Sequence, residues 1–171
     1  MNELNEVWTQ DLDKALAAAK VTGRYELADY LSLRASNDAI RQESIKWLFD
    51  GVLEIVFAFN RHGARITIDQ KEKHSFKFGN SSLSGSALHL RQGVRCLSFE
   101  AGWTQTPNDG VMKAGALACA RISHFGFAKQ TEELALHRFE DVPQWFSLDG
   151  ENHRISFNLR GLRKHFETFL G

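Results

Sequence analysis

Proline and cysteine are scarce in this chain, with two of each in 171 residues. Two thiols, Cys96 and Cys119, are too few for a disulfide framework. Both sit in apolar runs and read as buried free thiols of a cytoplasmic protein. An excess of one charge is also missing: Lys plus Arg and Asp plus Glu are both 21. That balance argues against a nucleic-acid partner, because phosphate binding depends on clustered, uncompensated cations. No long apolar run is present. The longest, Val52 to Phe59, contains Glu54 and is far too short to span a bilayer, so no membrane partner is expected. The opening MNELNEVWTQDLDK is acidic and has no apolar core of the kind a secretory signal needs. Local chemical signatures are lacking as well. The seven histidines include no HxxxH pair and the cysteines no CxxC pair, so a structural zinc is not expected. Neither a phosphate-cradling glycine loop nor a GxSxG nucleophile elbow occurs.

What is there is an apolar content of 43%, enough for one domain with a proper core. Trp8, Leu12, Ala15, Leu16 and Ala19 recur at helical spacing, and Thr22-Gly23 ends that run. A second helix presents Tyr25, Leu27, Ala28 and Leu31. Ser36-Asn37-Asp38 then reads as the cap of a third, carrying Ile40, Ile45, Leu48 and Phe49. Val52, Leu53 and Val56 continue the helical period. However, VLEIVFAF is rich in β-branched and aromatic residues, and Asn60-Arg61-His62-Gly63 looks like a turn, so a hairpin with Ala64 to Asp69 is preferred.

Beyond it, Ile66 and Ile68, then Phe76 and Phe78, alternate with polar residues around a charged turn from Gln70 to Lys73. Ser81 to Gly85 reads as a flexible connector. Ser86 to Gly110 organises the rest: a strand, a turn at Gln92-Gly93, a second strand, and a polar loop. Along the second strand Leu97, Phe99, Ala101 and Trp103 share one face and Cys96, Ser98 and Glu100 the other. Ala116 to His124, Glu132 to Phe139, a turn at Asp149-Gly150, and Ile155 with Phe157 complete the sheet. Leu162, Phe166 and Phe169 mark a short C-terminal helix. The expected fold is α+β: one domain over 1–171, with a helical leader (1–50), a large antiparallel sheet (51–158) and a closing helix (159–171).

The less apolar sheet face gathers His89, Arg91, Ser98, Glu100 and His137. Glu100 beside a His or Arg is a candidate acid–base pair, while any half-exposed sheet also shows water a polar face. The four tryptophans read most simply as core or cleft wall.

Three stretches together resemble the HemS/ChuX haem-utilisation family. Gly23 to Leu31, GRYELADYL, is similar to its early "GKY…LA" helix. Leu53 to Gly63, LEIVFAFNRHG, is similar to its "E-(apolar strand)-NR-G" hairpin. Ala87-Leu88-His89-Leu90, then Trp103 and Thr106-Pro107-Asn108-Asp109-Gly110, resembles its "LHL…W…KPT-DG" segment. The order and spacing hold over about residues 10 to 126. The chain has the length of a single family unit, and such units pair as homodimers. It departs from the family at the start of the first helix, which has no His, and at Gln105-Thr106-Pro107, where the order is changed. The resemblance implies a cytoplasmic haem-binding protein, either a carrier or a haem processor. Haem needs an apolar cleft, an axial ligand and cations for its propionates. His62 is the first choice for the iron and His89 the second, with Phe99 and Trp103 as walls and Arg61, Arg65 or Arg91 as propionate partners. The alternative is a partner-binding or regulatory module that keeps the fold without binding haem. An acid–base enzyme built on Glu100 and His89 is a third reading.

Overall fold

The computed structural model describes the backbone of residues 3–151 and 153–171, with side chains from residue 7 onward. The chain divides into two compact units, Met1–Gln42 and Glu43–Gly171. In the first, helix α1 (Glu3–Val21) ends where Gly23 adopts φ 69° and Thr22 Oγ1 donates to Ala18 O at 2.9 Å. Helix α2 starts at Tyr25, and the Arg34 guanidinium lies over the Trp8 ring at 5.3 Å.

The expected break at Ser36-Asn37-Asp38 does not occur, and neither does the expected strand at Val52 to Phe59. Helix α2 is continuous from Tyr25 to Arg61. Asp38 caps nothing; its carboxylate accepts from Arg41 Nη1 at 2.7 Å, one turn along. Ile45, Leu48, Phe49, Val52 and Val56 recur at i, i+3, i+4, i+7 and i+11, and all are buried. Burial of that stripe overrides the β propensity of the individual residues. The turn read into Asn60 to Gly63 is the helix's C-terminal cap. Gly63 takes φ 89°, its N–H donates to Asn60 O, and the Ala64 N–H reaches Phe59 O. Asn60 then ties the exit strand, donating to Ile66 O at 2.9 Å and accepting from its N–H at 2.7 Å.

Seven antiparallel strands follow in simple sequential order: β1 (Thr67–Phe78), β2 (Ser81–Gln92), β3 (Arg95–Trp103), β4 (Ala118–His124), β5 (Glu132–Phe139), β6 (Val142–Leu148) and β7 (Arg154–Ser156). The sheet therefore begins at Thr67 rather than at residue 51. Gln70 to Lys73 is not a turn but part of β1, marked by a register irregularity between Lys71 and His74. Likewise Ser81 to Gly85 is the first half of β2, paired with β1. The α+β class stands: N-terminal helices, an antiparallel sheet and a short closing helix, α3 (Leu159–Leu170), capped by Asn158 through the Arg160 and Gly161 N–H groups.

The two sheet faces are both partly covered. On one, Leu88, Leu90, Leu97, Phe99, Ile122, Leu134 and Leu136 are fully buried, and Phe166 of α3 stacks against Phe99 at 6.5 Å. Trp145 donates its indole N–H to Ser44 O on α2 at 3.1 Å, and Gly51 admits Leu159 and Leu162 of α3 against α2. On the other face a smaller core joins Phe76, Phe78 and Leu83 to Ala116, Cys119 and Ala135.

Candidate functional site

The C-terminal third of α2 and the length of α3 flank an open cleft of about 780 Å³. That is within the range of small-molecule sites, which run from roughly 300 to 1,000 Å³. Ile55, Ala58 and Phe59 supply apolar wall from α2, and Leu159 supplies it from α3. Helical spacing explains the charged rim: Arg163 and Glu167 lie one and two turns beyond Leu159, while Glu54, Arg61 and His62 come from α2 and its exit. His62 is exposed at the helix end, where the Gly63 cap turns the backbone out of the helical path. Among the described residues, Arg61 and Arg163 make no ion pair, and Glu54 and Glu167 line the same cleft beside them.

Of the residues that sequence reasoning assembled around a porphyrin, this cleft contains His62 and Arg61 only. Arg65 follows in the loop at φ 57°, and Arg91 is exposed at the end of β2. Phe99 is no cleft wall. It is 1% exposed beneath α3, where its ring serves the core. Trp103 is half-buried at the far end of β3, about 26 Å along the strand from the end nearest His62. His89 stands on the opposite face, its Nδ1 2.8 Å from Ser98 Oγ. Arg163, the second cation of the cleft, was missed because it lies about a hundred residues away in sequence; no local pattern joins it to His62.

The opposite face carries the polar residues that sequence reasoning grouped with Glu100, but with other partners. Glu100 Oε1 meets His74 Nε2 at 2.7 Å, and its Oε2 lies 3.6 Å from Arg121 Nη1. Arg121 Nη2 is 3.5 Å from Glu133 Oε1, and Lys113 Nζ donates to Glu133 Oε2 at 2.8 Å. The Arg121 guanidinium also stacks over Phe78 at 5.2 Å. Glu100, Arg121, Glu133 and Lys113 each have an opposite charge beside them, so the strip compensates itself across β3, β4 and β5. His89 is not bonded to Glu100; it meets the His74 ring edge-on at 6.3 Å. Burial lowers the pKa of His89, helped by Lys71.

Two further histidines face each other in the main core. His124 Nε2 is 3.0 Å from His165 Nδ1, and His165 Nε2 is 2.6 Å from Glu132 Oε2. The carboxylate can only accept, so His165 Nε2 carries a proton and donates to Glu132. Burial, with His165 alongside, lowers the His124 pKa. Burial alone would raise Glu132, but hydrogen bonds from His165 and Ser147 together outweigh it and hold the carboxyl low. Cys119 is buried and its thiol is pushed up to about 12, chiefly by burial, whereas Cys96 is only half-buried. Among the described residues no three His, Cys, Asp or Glu side chains converge on a metal position.

No protein-family model matches this sequence, and comparison with known proteins and with solved structures finds no match either.

Proposed function

We propose that this chain is a cytoplasmic haem-binding protein, a carrier or a haem processor, that takes the porphyrin into the cleft between α2 and α3. The observation that carries the reading is the meeting of an exposed His62 with the unpaired Arg61 and Arg163 on an apolar wall. An imidazole is a normal axial ligand, and guanidinium forks suit the two carboxylates of a porphyrin. When bound, haem would supply the iron chemistry. The chain's own part is to hold its edge with Arg61 and Arg163 and cover its face with Ile55, Phe59 and Leu159. His89 fits this role poorly, since Nδ1 is committed to Ser98 on a strand of the other face.

A HemS/ChuX relationship, with pairing as a homodimer, belongs to the same proposal and rests on the three motif stretches. The second of them now lies on the end of a helix rather than on a hairpin.

Hemin titration followed at the Soret band tests the reading. Wild type should shift the band, His62→Ala should abolish or strongly reduce the shift, and Arg61→Ala with Arg163→Ala should weaken binding about tenfold or more. His89→Ala should titrate like wild type. No shift in wild type gives the case to the alternative, a partner-binding module with this fold. A full shift in His62→Ala removes His62 as the ligand.

A further inference from the structure

Three connections lie together at one end of the sheet: residues 62–66 entering β1, Gly93 and Val94 between β2 and β3, and residues 125–131 between β4 and β5. Gln92 Nε2 donates to Ala64 O at 2.8 Å, and the Phe125 N–H donates to Cys96 O at 2.9 Å, so the three are held side by side. Two of them carry bare apolar residues: Val94 is 94% exposed on one, and Phe125 77% and Phe127 63% on another. One exposed apolar residue needs no explanation, but three on two neighbouring connections form a patch that does.

The patch is ringed by one sign of charge. Arg65, Arg91 and Lys129 are exposed around it, and among the described residues none is in an ion pair. The three connections contain no Asp or Glu. Of the acids near this end, Glu132 is engaged with His165 and Asp149 of the β6–β7 turn with His153, while Asp69 is exposed on β1 opposite His89. The three connections themselves thus carry Arg65 and Lys129 and no carboxylate.

We propose that this end of the sheet docks on an anionic lipid surface, with Val94, Phe125 and Phe127 entering the headgroup layer and Arg65, Arg91 and Lys129 meeting lipid phosphates. Protruding apolar tips inside a cationic ring match an interface where hydrocarbon lies under negative charge. Single-stranded nucleic acid is the lesser match. It is bound along a groove by stacking faces, and Val94, the most exposed tip, has no face to stack. The expectation of no membrane partner rested on the lack of a spanning segment, and indeed no described helix is long and apolar enough to cross a bilayer. Surface docking needs none. The proposal uses other residues than the haem cleft and stands or falls without hemin.

Co-sedimentation of the full chain with vesicles tests it. Vesicles of equal phosphatidylcholine and phosphatidylserine should bind wild type, with binding that fades as salt rises, and pure phosphatidylcholine should bind it far less. Arg91→Gln should lower partition about fivefold. Phe125→Ser with Phe127→Ser should lower it by about tenfold or more while the circular dichroism spectrum stays unchanged. Lys77→Gln, at the opposite end of β1, should bind like wild type. Wild type that ignores the mixed vesicles overturns the proposal. So does undiminished binding by the double Phe variant, or an equal loss in Lys77→Gln. Tighter capture by a single-stranded RNA oligonucleotide than by vesicles reassigns the patch and overturns it too.

Discussion

Adjacent side chains on β3 do opposite jobs. Phe99 is buried between the sheet and Phe166, while its neighbour Ser98 turns to the other face and shares a hydrogen bond with His89. Truncating the first removes a ring's worth of apolar contact and leaves a cavity that the rigid sheet cannot close. Phe99→Ala should therefore cost about 3–5 kcal/mol in a denaturant titration. Ser98→Ala breaks one partly exposed hydrogen bond and should cost about 1 kcal/mol. Equal losses would mean that Phe99 is less committed to the core than its burial indicates. This division was legible from alternation alone, since a strand with one apolar face states its own orientation. His62 and Arg61 were legible for a similar reason, being local to one turn. The Glu100 partners were not. His74 and Arg121 reach it only through the register of four strands, and β1 shifts register between Lys71 and His74.

At the scale of elements, the glycines of β2 and β3 show how the sheet is shaped. Gly85 and Gly102 face each other across the ladder, and a Cβ on either would run into backbone of the partner strand: Ala101 O for Gly85, Ser84 O for Gly102. Two strands this close need both positions bare. Gly85→Ala or Gly102→Ala should destabilise by about 1–3 kcal/mol, measured as a shift in denaturant midpoint at constant slope. Gly79→Asn at the β1–β2 turn, where φ is 59° and nothing lies within 4 Å, should change the midpoint little. The same region explains the sequence misreading. Ser81 to Gly85 has no bulky residue except Leu83 and looks like a linker, yet it is small because the strand is crowded. Gln70 to Lys73 looks like a turn because its exposed strand has no buried face to alternate against. In Val52 to Phe59 two signals competed, residue preference for strand and spacing for helix. The spacing prevailed because the buried stripe began earlier, at Ile45.

The whole molecule should be sensitive to acid. His124, His137 and His89 all have pKa values lowered, in each case mainly by burial. A lowered His pKa means the unfolded chain binds the proton more readily. Stability is then fully present above the unfolded value of about 6.5 and declines as pH falls below it. Lowered Glu132 contributes at more acid pH, holding its stabilisation until pH falls through its own folded value. Denaturant titrations at pH 8 and pH 5.5 should give the lower midpoint at pH 5.5. His137 Nε2 is buried without a hydrogen-bond partner among the described residues, so His137→Phe should be neutral to stabilising by about 1 kcal/mol and should flatten part of that slope. A steeper slope in that variant would remove His137 from the account.

The sequential order of the seven strands governs time as well as space. Each strand pairs with its neighbours in the chain, so every ladder can close as a hairpin, and the widest connection to be bridged is residues 104–117 between β3 and β4. Short closures cost little entropy, and growth can proceed strand by strand without waiting for a distant segment to diffuse home. The closing helix is different. Phe166 and His165 must return to β3, β4 and β5 from the end of the chain. In refolding kinetics the sheet should form ahead of α3, so the cleft that α3 completes arises last.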